Sequence, residues 1–126
     1  MTAAASAAGL EVIPLTRQID CAQTIRERMA RGVRLFVAAG GDGTITNILQ
    51  PLVNSDSTLG VVPFGTYNHF AKDLELPLDW KEALDVVLNG EIRQVDTARI
   101  NNRFFVNNVS LGLYPELVAR REEKGI

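Results

Sequence analysis

Two short segments contain residues whose types and spacing suit phosphate chemistry. The first is Ala39-Gly40-Gly41-Asp42-Gly43-Thr44. A helix start offers free N–H groups and the positive end of a dipole to an anion. Glycines remove the Cβ atoms that would hold phosphate oxygens away from the backbone. Asp42 places a carboxylate where phosphates would sit, which is repulsive unless a Mg²⁺ lies between them or the carboxylate handles a proton. The plainer alternatives are a tight turn without a ligand and an Asp42 that only caps the helix that follows. The loop is neither a Walker A sequence, since no Gly-Lys-Thr follows, nor a Gly-x-Gly-x-x-Gly fingerprint. The second segment is Pro63-Phe64-Gly65-Thr66-Tyr67-Asn68-His69-Phe70-Ala71. Gly65 relaxes a turn, and Thr66 and Asn68 offer a hydroxyl and an amide to hydroxyls or phosphates. Taken alone this segment is weak, because Thr and Asn are ordinary helix caps.

The elements that must position these segments follow from the apolar pattern. Val33 to Ala39 is an apolar run, Arg34 apart, and predicts a strand buried on both faces. Ile45, Ile48, Leu49, Leu52 and Val53 form one face of an amphipathic helix. Leu59 to Pro63 predicts a second short buried strand, and Gly65 to Leu74 a loop entering a short helix. Both loops therefore follow a strand and open a helix. In open α/β sheets that is where ligands bind, and the two loops are expected side by side at one end of the sheet. Upstream, Met1 to Gly9 reads as the tail of a helix and Glu11 to Leu15 as an edge strand at best, because of Pro14. Asp20 to Arg31 has a helical face of Ala22, Ile25 and Met29, with Asp20 and Gln23 as a cap. Downstream, Asp79 with Glu82 caps a helix whose apolar face is Trp80, Ala83, Leu84, Val87 and Leu88, ended by Gly90. Arg93 to Ile100 and Arg103 to Val109 predict two strands joined through Asn101-Asn102, since asparagine tolerates the positive φ of a tight turn. The alternation of strands and helices implies a parallel sheet with helices on both sides.

Composition narrows the class. A chain of 126 residues holds one full domain. A formal net charge of −2 gives no general attraction to nucleic acid. Arg26, Arg28, Arg31 and Arg34 read as a solvated helix face. The single cysteine, Cys21, excludes an internal disulfide and is given no chemistry. No run is long enough to span a bilayer, and the opening does not read as a signal peptide.

The pair of motifs closely resembles the diacylglycerol kinase catalytic domain. The residues concerned are Gly40-Gly41-Asp42-Gly43-Thr44 and Pro63-x-Gly65-Thr66-x-Asn68-x-Phe70-Ala71. Bacterial lipid kinases, sphingosine kinases and ceramide kinases share the pair, whereas NAD kinases share only the first motif. Val95 to Asn101 and Phe105 to Gly112 resemble later family segments. The resemblance implies a three-layer α/β/α nucleotide domain followed by a β-rich lipid-binding domain. Here that corresponds to residues 1–90 and to a hairpin and helix over 91–126 that open the second lobe. It implies transfer of the ATP γ-phosphoryl group to a lipid hydroxyl such as that of diacylglycerol, with Mg²⁺, in phospholipid metabolism. Gly40, Gly41, Asp42, Gly43, Thr44, Gly65, Thr66 and Asn68 are then the ATP-binding residues, with Asp42 also catalytic and a metal ligand. The implied setting is cytoplasmic, at the inner membrane face when full length. Thr46-Asn47 and His69 depart from the family's usual residues. His69, the only histidine, reads as an exposed helix residue. The family's first strand, with its Asn-Pro-x-Ser-Gly loop, precedes the chain, so the chain is expected to be a fragment, inactive toward lipid alone, and prone to self-association through an exposed sheet edge. The alternatives are an NAD kinase-like small-molecule kinase and a non-catalytic nucleotide-binding or regulatory module.

Overall fold

The computed structural model describes residues 1–106. The expected end of the second hairpin strand at Val109 and the helix after it lie outside them. The element order is α1 (Thr2–Ala7), α2 (Cys21–Ala30), β1 (Leu35–Gly40), α3 (Asp42–Leu52), β2 (Thr58–Pro63), α4 (His69–Asp73), α5 (Trp80–Asn89), β3 (Thr97–Ile100) and β4 (Arg103–Val106).

Local chemistry sets several of these boundaries. The Asp20 carboxylate accepts from Gln23 N at 3.1 Å and starts α2. The Asp79 carboxylate accepts from Glu82 N at 3.2 Å and starts α5. Each supplies an acceptor to a helix N–H that has no partner within its own helix. Asn101 and Asn102 both have positive φ, 52° and 64°, and join β3 to β4 in a two-residue turn. That turn type matches the twist of an antiparallel pair.

β1 and β2 pair in parallel, with Ala38 opposite Val61 and Gly40 opposite Pro63. Alternation sends their side chains to two faces. Ala38 and Val61, with partly buried Phe36 and Leu59, join Ile45, Ile48, Leu49 and Leu52 of α3 and Ile25 of α2 in one core. On the other face, a Cβ added to Gly60 would come within 2.8 Å of Val87 of α5. Helices thus cover both faces, giving three layers of mixed α/β. Ile45, fully buried in the first turn of α3, anchors that helix directly behind the first glycine loop. Truncating it to alanine would cost about 2–5 kcal/mol.

Four expectations are corrected. The strand expected from Arg93 begins only at Thr97. Glu11 to Leu15 forms no strand; Pro14 removes a donor, and Glu11 instead pairs with Arg28 at 2.7 Å. The apolar run at Val33 begins as a strand only at Leu35, and both Leu35 and Ala39 are exposed. Among the described residues β1 has a hydrogen-bonded neighbour on one side only, so it is not covered like a central strand. The four arginines are not one helix face, because α2 ends at Ala30 and leaves Arg31 and Arg34 beyond it, although Arg26, Arg31 and Arg34 are exposed. Arg28 holds Glu11, while Arg34 binds Asp56 at 3.0 Å and the Met29 and Val33 carbonyls.

β3 and β4 form a separate antiparallel pair that docks on α3. The Gln50 amide donates to Phe104 O at 2.9 Å and accepts from Phe104 N at 2.8 Å, reproducing the double bond of a strand pair with a side chain. Arg103 donates to the Asn47 amide oxygen one turn earlier on the same helix. Asn47 and Gln50 therefore join the hairpin to the helix whose first turn carries the glycine loop.

Candidate functional site

Gly40 ends β1, Gly41 caps α3, and Asp42, Gly43 and Thr44 form the first turn of α3. Gly65, Thr66 and Asn68 follow β2 and lead into α4. Gly40 and Pro63 are paired strand ends, and Phe64 N donates to Gly40 O at 2.8 Å. The two segments therefore leave the same end of the sheet side by side.

Their backbones touch. A Cβ built on Gly65 would lie 2.6 Å from Gly41 Cα, and one built on Gly41 would lie 3.2 Å from Gly65 Cα. Neither loop tolerates a side chain at the contact. Gly40 is similarly confined, since a Cβ there would lie 3.0 Å from the Thr44 Cβ. Gly43 differs: it is exposed, and a Cβ there meets nothing within 4 Å. The one glycine of the loop with open space above it is the one in the first helical turn.

Asp42 joins the two segments. Its Oδ2 accepts from His69 N and its Oδ1 from Phe70 N, both at 2.9 Å. The carboxylate caps a helix, but the helix is α4, twenty-seven residues on, and not its own α3. The Asn68 oxygen accepts from Gly65 N at 2.8 Å and closes the second loop. Asn68 itself is left-handed, with φ 53° and ψ 44°, a conformation asparagine tolerates better than most residues. Thr66 is exposed. So all eight residues singled out in the sequence fall into one cluster.

Sequence reasoning missed two features of this cluster. One is the bond from Asp42 to α4, which joins partners remote in sequence and leaves no periodic signal. The other is the pair Tyr67 and His69. Their rings are parallel within 2°, with centroids 5.5 Å apart, and both are exposed. The sequence marks His69 as an exposed helix residue, but nothing in its spacing announces a stack.

A Mg²⁺ would find one protein carboxylate in this cluster, that of Asp42. Among the described residues no group of three or more His, Cys, Asp or Glu side chains gathers to hold a metal. A single carboxylate is enough for Mg²⁺ where substrate phosphates and water supply the other ligands. Each Asp42 oxygen accepts one N–H and keeps a second lone pair. A separate cavity of about 320 Å³ is lined by Asp73, Leu74, Glu75, Arg93, Gln94 and Val95. It shares no residue with the glycine loops, and its walls bring both signs of charge together. Burial pushes the Cys21 thiol up, and the Asp20 carboxylate adds to the effect. No helix among the described residues is long and apolar enough to cross a membrane.

Comparison with known proteins gives a consistent result. The model of the diacylglycerol kinase catalytic domain matches residues 2–100. A diacylglycerol kinase of Bacillus subtilis (strain 168) is 40% identical over 101 residues, covering 78% of this chain and 33% of that protein. One from Staphylococcus aureus (strain Newman) is 38% identical over 95 residues, covering 73% and 30%. The crystal structure of a diacylglycerol kinase from Bacillus anthracis str. Sterne superposes with a TM-score of 0.66 at 30% identity, over 76% of this chain and 33% of that one. The chain thus spans about a third of the length of these relatives.

Proposed function

The chain belongs to the diacylglycerol kinase catalytic domain family, and on that premise we propose that its paired glycine loops bind the phosphates of ATP for transfer to a lipid hydroxyl. The observation that carries this reading is the contact of Gly41 with Gly65. It sets two loops edge to edge at the carboxyl end of a parallel sheet, with the start of α3 open at Gly43. The first N–H groups of α3, at Asp42, Gly43 and Thr44, have no carbonyl within the helix to receive them. Together with the helix dipole they suit an anion. Thr66 adds a hydroxyl donor, and Asn68 keeps its NH₂ group after its oxygen is used by Gly65.

Phosphoryl transfer is chiefly positioning and neutralisation of charge. In this reading Asp42 does both. Its two bonds to α4 fix the second loop relative to the first, and its remaining lone pairs would hold a cation. Mg²⁺, when bound, would neutralise phosphate oxygens that the carboxylate would otherwise repel. The γ-phosphoryl acceptor is proposed as a lipid hydroxyl, diacylglycerol foremost, for a protein that carries this chain together with a lipid-binding half.

Gly43 supplies the test. A leucine there meets no protein atom at its Cβ, so the fold should stand while the space for phosphate is filled. Calorimetric titration of Mg²⁺-ATP is expected to show binding to the chain and none to Gly43→Leu, with unchanged circular dichroism. Gly41→Val would be a poorer choice, because its side chain strikes Gly65. Equal affinity in Gly43→Leu and wild type would remove the phosphate role from the loop.

A further inference from the structure

The geometry points to a second contact for the nucleotide: Tyr67 and His69 form a stacking platform for its base. The inference rests on the phosphate reading above. Tyr67 is 66% exposed, an unusual state for a large ring that could cover apolar surface. His69 is exposed as well. Yet the two rings are not arbitrarily placed. They are parallel within 2° at 5.5 Å between centroids, the offset arrangement that aromatic pairs favour. The left-handed turn at Asn68 lies between them.

The platform is also tied to the phosphate loop. His69 N donates to Asp42 Oδ2 at 2.9 Å, so the backbone that carries the imidazole is fixed to the first turn of α3. A nucleotide with its phosphates on that turn has a planar base to place, and the residue whose N–H binds Asp42 is one of the two that carry the parallel rings. Stacking of this kind reads the π-face of a base and not its hydrogen-bonding edge. The platform would therefore favour nucleotides over bare polyphosphate while discriminating weakly among bases.

The whole chain is titrated with ATP and, separately, with tripolyphosphate. His69 is the only histidine, so its imidazole protons are unambiguous in proton NMR. At a fixed pH, a base stacked on the ring shifts these protons upfield. ATP should produce that shift and tripolyphosphate should not. Tyr67→Ala should weaken ATP about tenfold, equivalent to about 1.4 kcal/mol and typical of one base stacked on one ring. It should leave tripolyphosphate affinity unchanged, and Tyr67→Phe should restore ATP binding. Equal loss of both ligands in Tyr67→Ala, or ATP binding without an imidazole shift, would overturn the platform. Tripolyphosphate bound as tightly as ATP by wild type would overturn it too, while leaving the phosphate loop intact. Binding of neither ligand would overturn both.

Discussion

Substituting Gly65 by alanine adds a single methyl group at the closest approach of the two loops. Its carbon would lie 2.6 Å from Gly41 Cα and 3.0 Å from the Asn68 side-chain oxygen. Carbon atoms rest about 3.5–4.0 Å apart, so the loops must part by roughly 1 Å. The struck atom is backbone, so no rotamer change relieves it. Three bonds bridge the gap: Phe64 N to Gly40 O at 2.8 Å, and His69 N and Phe70 N to the Asp42 carboxylate at 2.9 Å each. Lengthened by such a step they fall outside hydrogen-bonding range. Bonds to a charged group contribute about 1.5–3 kcal/mol each, but the loops can tilt and keep part of this. Overpacking typically costs about 1–3 kcal/mol, and about 2–3 kcal/mol is expected here. Gly43→Ala is the control. Its methyl group meets nothing within 4 Å, and replacing glycine within a helix should stabilise by about 0.5–1 kcal/mol. Two substitutions of the same kind, in loops that touch, should thus have opposite signs. Urea unfolding followed by the fluorescence of Trp80, the only tryptophan, reads both. A neutral Gly65→Ala would show that the loops are not held in contact, and the reasoning built on that contact would fail.

Asp42→Asn keeps one acceptor for α4 but turns an NH₂ group toward the other N–H. A loss of about 1.5–3 kcal/mol is expected, with faster hydrogen exchange at His69 and Phe70; unchanged exchange at both would disprove the cap. Gln50→Ala leaves the Phe104 N–H and C=O without their partner, at about 1–2 kcal/mol for groups that are only partly buried. Gln50→Glu should be no better, since its carboxylate would face the Phe104 carbonyl, and full stability in the Glu variant would contradict the double bond. We also propose self-association through the parallel sheet, which among the described residues has two strands and an exposed Leu35. Sedimentation velocity at rising concentration would show it, and a single monomeric species throughout would dismiss it.

What could be read in the sequence was whatever local chemistry decides. Asp20 and Asp79 each sit three residues before the N–H they accept, and a capping pattern is visible in any sequence. Asn101 and Asn102 declare a turn because few other residues accept positive φ twice in succession. The loops came together because each follows a strand of one parallel pair, which makes their adjacency a matter of topology. The strand edges were not legible in the same way. A run such as Leu35 to Ala39 specifies that its side chains are apolar, not how many neighbours the strand has, so the exposure of Leu35 and Ala39 could not be foreseen. Nor could the longer links. Asp42 to α4 and Gln50 to β4 join residues 27 or more positions apart through single side chains. Both links start from α3, one at each end of the helix. The same helix carries Ile45 into the core and Gly43 into open space. A shift of α3 would therefore move the glycine loop, the cap of α4 and the hairpin together. Loop geometry is in this sense a property of the whole helix, which is why eight residues gathered in two short motifs need structure from both halves of the described chain to hold them.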